Sequence, residues 1–534
     1  MAVLQKGRSN YPFWGASITL ITGLDPLSLQ TTSEATYATL LPGISNLTNR
    51  LRYYGFYCWL LDFYFKKEKK GNSVEQYRFI RRAELMIAIV MQSERSDVLQ
   101  ITGSTFASTM INTNTGNYYD LAAGADKDDL NNPVYWKYPS GAFGQYYYGA
   151  MRAMSLVLAA TNADGDAIYA LTQPTPQQKV SGAELATAFD ATLNNDVRNL
   201  FYNNVKKGRL KVADITLLSQ YFAIDKVDAE LPQWKLYRNM LLDKDEPALE
   251  MEEHFTYHRK ESIMALINTA QGNGNNYDWQ LFLLQAYELK MGTKEYPVAE
   301  TMIGWYTYQF NEYYQYACGA IFWAVLQHLY SFQQDQYLPA FIKNLGKTVT
   351  KKICKRIPEA TPATPVAQIL QGMHVGDDEP TLTQSIESRP TSDPIEAATN
   401  GFLLLFRLYN ENSRYLHPLK DFMTRKEMIR EGNMVDGLLS VHAAKGDELE
   451  NFIQLFLLQK IVYRHQKVAI RKMGNGSQST HKFIIEEQYI RFIDTFPPRF
   501  TSPRMNALWN LLFDLGVVDE DGMLTSLHEQ LLIN

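Results

Sequence analysis

The stretch "LLPGISNLTNRLRYYGFYCWLLDFYFKKEKK", Leu40–Lys70, decides how the rest of this chain is read. It opens on Pro-Gly, runs through a dense aromatic block and closes on four lysines. A membrane span needs roughly 20 consecutive apolar residues. This block is shorter, and Arg52 and Asp62 interrupt it. Leu51, Tyr54, Cys58, Leu61 and Phe65 keep the i, i+3/i+4 spacing of one helical face, and the other faces are aromatic as well. A helix that is apolar all round is a buried one. The spacing therefore predicts a central helix, with Ser45 or Asn46 as its N-cap and the lysines marking its exit into solvent.

At 534 residues the chain exceeds what one hydrophobic core supports, so two to four domains are expected. The net charge of −5 provides no global field toward nucleic acid or acidic membrane, so contact with a polyanion would have to come from a local patch. Cys58, Cys318 and Cys354 are far apart, which gives neither a disulfide framework nor a zinc finger within one segment. The opening "MAVLQKGRSNYPFWGAS" lacks the charged start, apolar core and small-residue cleavage site of a secretory signal, so a cytoplasmic location is expected, with no membrane contact.

The pattern along the chain predicts a mainly α, multidomain protein with small winged-helix-like units. Residues 1–130 read as an N-terminal helical domain around the aromatic helix, with a second helix at 75–94 and a polar loop at 112–133. Residues 131–230 read as a winged-helix-like unit, because "ADGDAIYALT" (163–172) places an Asp-Gly turn before a short strand, with a helix on either side. Residues 231–355 form a central helical domain whose longest apolar run, 301–332, contains Glu312 and Gln327 as polar groups that such a core must satisfy. Proline, threonine and acidic residues at 356–394 signal a linker or long loop. Residues 395–534 read as a C-terminal helical region that ends in a second winged-helix-like unit around "LGVVDEDGMLT".

The chemical motifs are fragments. His254 and His258 have the i, i+4 spacing of two metal ligands, but Phe255 stands where a zinc hydrolase helix carries glutamate. Asp278 followed by Glu288 and Lys290 has the order of a metal-dependent nuclease core, in a stretch whose period is helical rather than that of adjacent strands. "LGKTVTKK" (345–352) evokes a phosphate loop, but Phe341 replaces its first glycine. No catalytic residues, metal site or cofactor are assigned. Basic clusters are the better lead. Lys343, Lys347, Lys351, Lys352, Lys355 and Arg356 line one helix. Arg464, Lys467, Arg471, Lys472 and Lys482 surround an expected hairpin and are the candidate nucleic-acid-binding residues, suited to gripping phosphates without reading bases.

Three stretches carry a family resemblance: Gly23–Leu61, "GAFGQYYYGAMRAMSLV" (Gly141–Val157) and "WYTYQFNEYYQYACGAIFW" (Trp305–Trp323). They resemble bacterial proteins encoded in anti-phage defence gene clusters. The resemblance implies a large, mostly helical cytoplasmic subunit that works with protein partners from neighbouring genes, and it transfers no catalytic residue. The expected function is a non-catalytic scaffold or sensor subunit that binds partner proteins, with DNA or RNA as a further candidate partner. A metal-dependent nuclease and a winged-helix transcriptional regulator are the alternatives.

Overall fold

The computed structural model describes residues 19–20, 25–68, 71–126, 134–162, 164–175, 180–225, 227–242, 253–293, 295–371, 377–387, 393–473 and 478–532, and it is mainly helical. Strand β1 (Thr19–Leu20) precedes α1 (Gln30–Leu40), the aromatic helix α2 (Arg52–Lys67), α3 (Ser73–Glu94), α4 (Ser104–Thr113), β2 (Tyr118–Asp120) and α5 (Leu121–Ala125). A π-helical turn at Phe143–Tyr147 runs into α6 (Tyr148–Ala153), β3 (Val157–Thr161), β4 (Ala167–Leu171), α7 (Gly182–Asp190) and α8 (Asn195–Lys207). There follow β5 (Arg209–Lys211), α9 (Ile215–Phe222), α10 (Pro232–Leu242), α11 (Glu253–Gly272), α12 (Trp279–Leu289) and the long α13 (Glu300–Ser331). Next come β6 (Gln336–Tyr337), α14 (Leu338–Arg356), α15 (Val366–Leu370), α16 (Glu379–Glu387), α17 (Pro394–Asn412), α18 (Leu416–Arg425), α19 (Met434–Ala443) and α20 (Leu449–Phe456). The chain closes with α21 (Tyr463–Lys472), β7 (Gln478–Ser479), β8 (Phe483–Glu486), β9 (Tyr489–Phe492), α22 (Met505–Asp514) and α23 (Leu527–Leu532).

Two units divide the chain, each assembled from separated stretches: Met1–Thr36 with Tyr306–Thr501, and Tyr37–Trp305 with Ser502–Asn534. The expected sequence-order boundaries at 130, 230, 355 and 394 do not coincide with them. The expected linker 356–394 contributes α15 and α16 instead, and Val366, Ile369, Leu382 and Ile386 are buried. Its apolar residues recur at helical spacing beneath the proline and acidic punctuation, and packing settles their state. Ile386 joins Tyr316 and Ala320 in one buried cluster.

In the unit built from 37–305 and 502–534, α2 is buried as its sequence demands. Tyr53, Tyr54, Phe56, Tyr57, Cys58, Trp59 and Leu60 are at most 1% exposed. Trp59 and Phe56 meet Phe189, Phe201 and Phe222, while Tyr57 lies against Phe143 and Tyr147. Gly55 is required by close approach: a Cβ there would lie 2.0 Å from the Tyr237 hydroxyl on α10. The expected cap at Ser45 or Asn46 is corrected. The helix begins at Arg52, and Leu51 N–H donates to Asp514 Oδ2 at 2.9 Å, an acceptor on α22. Asp514 also takes Arg50 Nη1 at 2.6 Å, and burial pushes its carboxyl up to about 6.

Around α2 the expected helix–hairpin–helix order is present. Strands β3 and β4 pair antiparallel from Val157↔Leu171 to Thr161↔Ala167, and α7 opens on a capping box between Ser181 and Glu184. The C-terminal counterpart is smaller, a single bridge Val518↔Leu524 between α22 and α23. The expected loop at 112–133 contains β2 and α5, and its residues 127–133 lie outside the described set. Glu84 of α3 is a buried acid among aromatics. It accepts Tyr57 Oη at 2.9 Å, Ala142 N at 3.0 Å and Phe143 N at 2.7 Å, so it caps the helix that starts at Phe143. Burial pushes its carboxyl up to about 7 against those donors and Arg81.

The other unit centres on α13 from Tyr306 onward. Glu312 is 1% exposed and accepts Gln315 Nε2 at 2.8 Å, Thr501 N at 2.6 Å and Thr501 Oγ1 at 2.7 Å, which satisfies the core acid. Gln327 donates to Thr495 Oγ1 at 2.7 Å. A three-stranded sheet in the order β6-β9-β8 and a short parallel pair β1-β7 complete the strands described in this unit.

Two outcomes follow from these buried acids. Asp514→Ala strips a buried guanidinium and the Leu51 N–H of their acceptor, so stability should fall by about 3–5 kcal/mol, on the order of 10 °C in Tm by calorimetry. An unchanged Tm would show that the pair does not anchor α2. Glu84 has a folded pKa above its unfolded value, so its favourable contribution is complete below pH 4.5 and is lost as pH rises through about 7. Asp514 and Glu312 are raised by burial as well and lose stability over the same range, so thermal unfolding from pH 5 to 8 should show a decline that is shallower in Glu84→Gln, by roughly 3 kcal/mol at most. Parallel curves for the two proteins would contradict this assignment.

Candidate nucleic-acid interface

Arg464, Lys467, Arg471 and Lys472 do not lie on a hairpin. They lie on α21, whose buried face is His465, Val468 and Ala469. Lys482 sits just before β8. Lys467, Arg471 and Lys472 are exposed, but each of the five cations is engaged by a partner within the protein. Arg464 Nε donates to Leu27 O at 2.5 Å and its Nη2 to Ser28 O at 3.1 Å. Arg471 Nη2 donates to Ser28 Oγ at 2.8 Å, and Lys472 Nζ to Asp25 O at 2.6 Å. Lys467 Nζ and Arg471 Nη1 share the Glu431 carboxylate at 2.8 and 3.0 Å, and the Lys467 hydrogen bond leads in holding that acid below its usual range. Lys482, with a side chain 2% exposed, donates to Asp494 Oδ2 at 2.5 Å. Arg464, Arg471 and Lys472 clamp residues 25–28 onto α21.

His465 works in the same clamp. Its Nε2 accepts Lys482 N–H at 2.9 Å, so Nδ1 carries the proton and donates to Pro26 O at 3.0 Å. Burial pushes the ring down to about 4, and it stays neutral against Phe322 and Phe483.

Helix α14 has the opposite character. Pro339 sits in its first turn, and Phe341, Ile342, Leu345, Val349 and Ile353 form its buried stripe. Gly346, the glycine of the phosphate-loop-like "LGKT", lies mid-helix against α20, where a Cβ would meet Gln454 Cγ at 2.5 Å. Lys352 and Arg356 turn to Glu396 at the start of α17. Lys343, Lys347, Lys351 and Lys355 are exposed, and among the described residues none of the four makes an ion pair or a side-chain hydrogen bond. The i, i+4 spacing sets them roughly 6 Å apart, a row of about 18 Å. No acid occurs from Gln336 to Pro358, and Asn344 and Thr348 are the exposed polar neighbours along the row.

The N-terminal end of this row meets the sheet. Tyr337 of β6 stands directly before Leu338 and pairs with Tyr489 of β9. The two rings lie 5.8 Å apart at 57° and are 45% and 50% exposed. Strands β8 and β9 are joined by Glu487 and Gln488, both at positive φ (47° and 69°) without a glycine. Two-residue turns of this kind favour Asn-Gly, and each non-glycine residue held there costs on the order of 1–3 kcal/mol. Gln488 fixes the pair: its carbonyl accepts Leu338 N–H at 2.8 Å and its side-chain oxygen accepts Tyr337 Oη at 3.1 Å.

The remaining motif residues serve structure. His258 lies 2.7 Å from Thr301 Oγ1, whose hydroxyl donates to Glu261, so His258 Nδ1 is the donor in that pair. The His254 side chain lies outside the described residues. Asp278 caps α12 by accepting Gln280 N and Leu281 N, while Glu288 lies near the other end of that helix. No group of three or more His, Cys, Asp or Glu among the described residues is arranged to hold a metal ion, and no described helix is long and apolar enough to cross a membrane. No protein-family model, curated protein or solved structure matches the chain.

The two basic sets should separate experimentally. Arg471→Ala with Lys472→Ala should cost about 2 kcal/mol in denaturant unfolding, through the contacts to Ser28, Glu431 and Asp25, while oligonucleotide affinity stays within twofold. A drop in affinity with unchanged stability would return the site to α21.

Proposed function

We propose that this protein is a non-catalytic scaffold or sensor subunit of a bacterial anti-phage defence complex, contacting partner proteins and the phosphate backbone of a nucleic acid. The row Lys343, Lys347, Lys351 and Lys355 carries the reading. Four exposed lysines in line, with no carboxylate on their own helix, supply the unneutralised local charge that a net-acidic protein needs to hold a polyanion. A line of cations suits a linear polymer, whereas a single phosphate group is better held by cations that converge on one point. The apolar residues of α14 are buried in their own unit, so the helix offers a membrane surface charge but no inserting face.

The two hairpin-like turns support protein contact over DNA contact. Asp164 and Asp166 lie in one, and Asp519, Glu520 and Asp521 in the other, so a wing built on either would repel phosphates. On this reading the winged-helix-like segments face protein partners, and the α14 row faces nucleic acid.

Fluorescence anisotropy with a labelled oligonucleotide tests the backbone contact. Four neutralised phosphates predict a slope of log Kobs against log salt of about −3 to −4. Lys347→Glu with Lys351→Glu should weaken binding at least tenfold. Binding indifferent to salt or to both substitutions would falsify the contact. Native mass spectrometry of the tagged protein from its own host tests the subunit reading: a stoichiometric neighbouring gene product is expected, and a bare monomer would remove it.

A further inference from the structure

We infer that the nucleic acid bound along α14 is single-stranded, and that Tyr337 and Tyr489 receive its bases. The inference rests on the backbone contact proposed above and adds what that contact engages. A cation row holds a duplex and a single strand alike. What distinguishes a single strand is that its bases are free to stack on exposed aromatic rings.

Exposed tyrosines are common, but this pair stands at the end of the cation row. Tyr337 is the residue before α14, and Lys343 follows about 9 Å further along the axis, which places the rings at the N-terminal end of the cation row. The sheet order sets its polarity. Strand β6 lies at the edge that feeds into α14, whereas Glu486 lies on β8 at the other edge, directly opposite Tyr489 and on the side away from Tyr337. Arg491, which is on the Tyr489 face of β9, is held by Asp335 at 2.8 Å and so offers little free charge of its own. A strand with its bases on the tyrosines would carry its phosphates away from Glu486 and along Lys343, Lys347, Lys351 and Lys355.

The second observation is the turn. Glu487 and Gln488 are both held at positive φ, and the bonds that hold Gln488 run to Tyr337 and to the first N–H of α14. Held strain of this kind points to a constrained element. The element it constrains is the tilted pair of half-exposed rings. Their tilt of 57° leaves an open ring face rather than a closed stack.

The experiment compares oligothymidylate, oligouridylate and a duplex of equal length by anisotropy at two salt concentrations. The full chain should bind either single strand at least tenfold more tightly than the duplex. Tyr337→Ala with Tyr489→Ala should weaken single-strand binding roughly tenfold or more, whereas Tyr489→Phe, which keeps the Tyr337 hydroxyl on Gln488, should bind as the unaltered chain does, because stacking needs the ring and not the hydroxyl. A melting curve for each variant separates a lost site from a lost fold. Equal binding of duplex and single strand, or single-strand binding unchanged by the alanine pair, would overturn this inference while leaving the lysine contact standing. Salt-sensitive binding of neither form would remove both. Preference for anionic vesicles over any oligonucleotide would assign the row to a membrane surface.

Discussion

From Tyr53 to Leu61 helix α2 has no face to give to water, and the architecture of its unit follows from that. A peripheral helix needs neighbours on one side only, but Tyr53, Phe56, Tyr57 and Trp59 need them on every side. The neighbours come from α3, the helix beginning at Phe143, α7, α8, α9 and α10. The start of α2 is completed by Asp514, more than four hundred residues downstream. A unit that surrounds one helix in this way is not bounded by a contiguous segment, which is why 502–534 belongs with 37–305.

Burial on this scale also governs the charges. A charged or polar group inside must be met by hydrogen bonds or lose its charge. Glu84 caps a helix, and Arg259 binds the carbonyls of Leu241, Met240 and Pro42. Arg259 is pushed down to about 9 by burial, with Tyr54 opposing the shift. Glu312 gathers Thr501 and Gln315, and His465 stays neutral between Pro26 and Lys482. Each of these groups sits in the kind of environment that perturbs acidity at catalytic sites, yet each is engaged with the protein's own backbone or core. Perturbed acidity here reports architecture.

The same accounting separates two basic clusters that look alike in sequence. "YRHQKVAIRK" and "FIKNLGKTVTKKICKR" both lack acids. The cations of the first meet Glu431 and the carbonyls of residues 25–28, whereas four lysines of the second meet no described partner. No local pattern distinguishes them, because the neutralising groups are distant in sequence. The Tyr337–Tyr489 pair was hidden for the same reason, since its members lie on strands brought together by register.

Sequence alone determined the helical class, the burial of α2 and α13, the order of helix, hairpin and helix at 143–190, and the helix that carries Lys343 to Arg356. Those features are periodic, and period is a local property set by the helix and strand repeats. Sequence also required that Glu312 be satisfied, without naming Thr501 as its partner. Tertiary structure decided the interleaved units, the cap on α2, the helices within 356–394 and the partners of every buried charge. These depend on which distant groups share a volume, and desolvation, which makes a buried charge so costly, acts only once that volume exists.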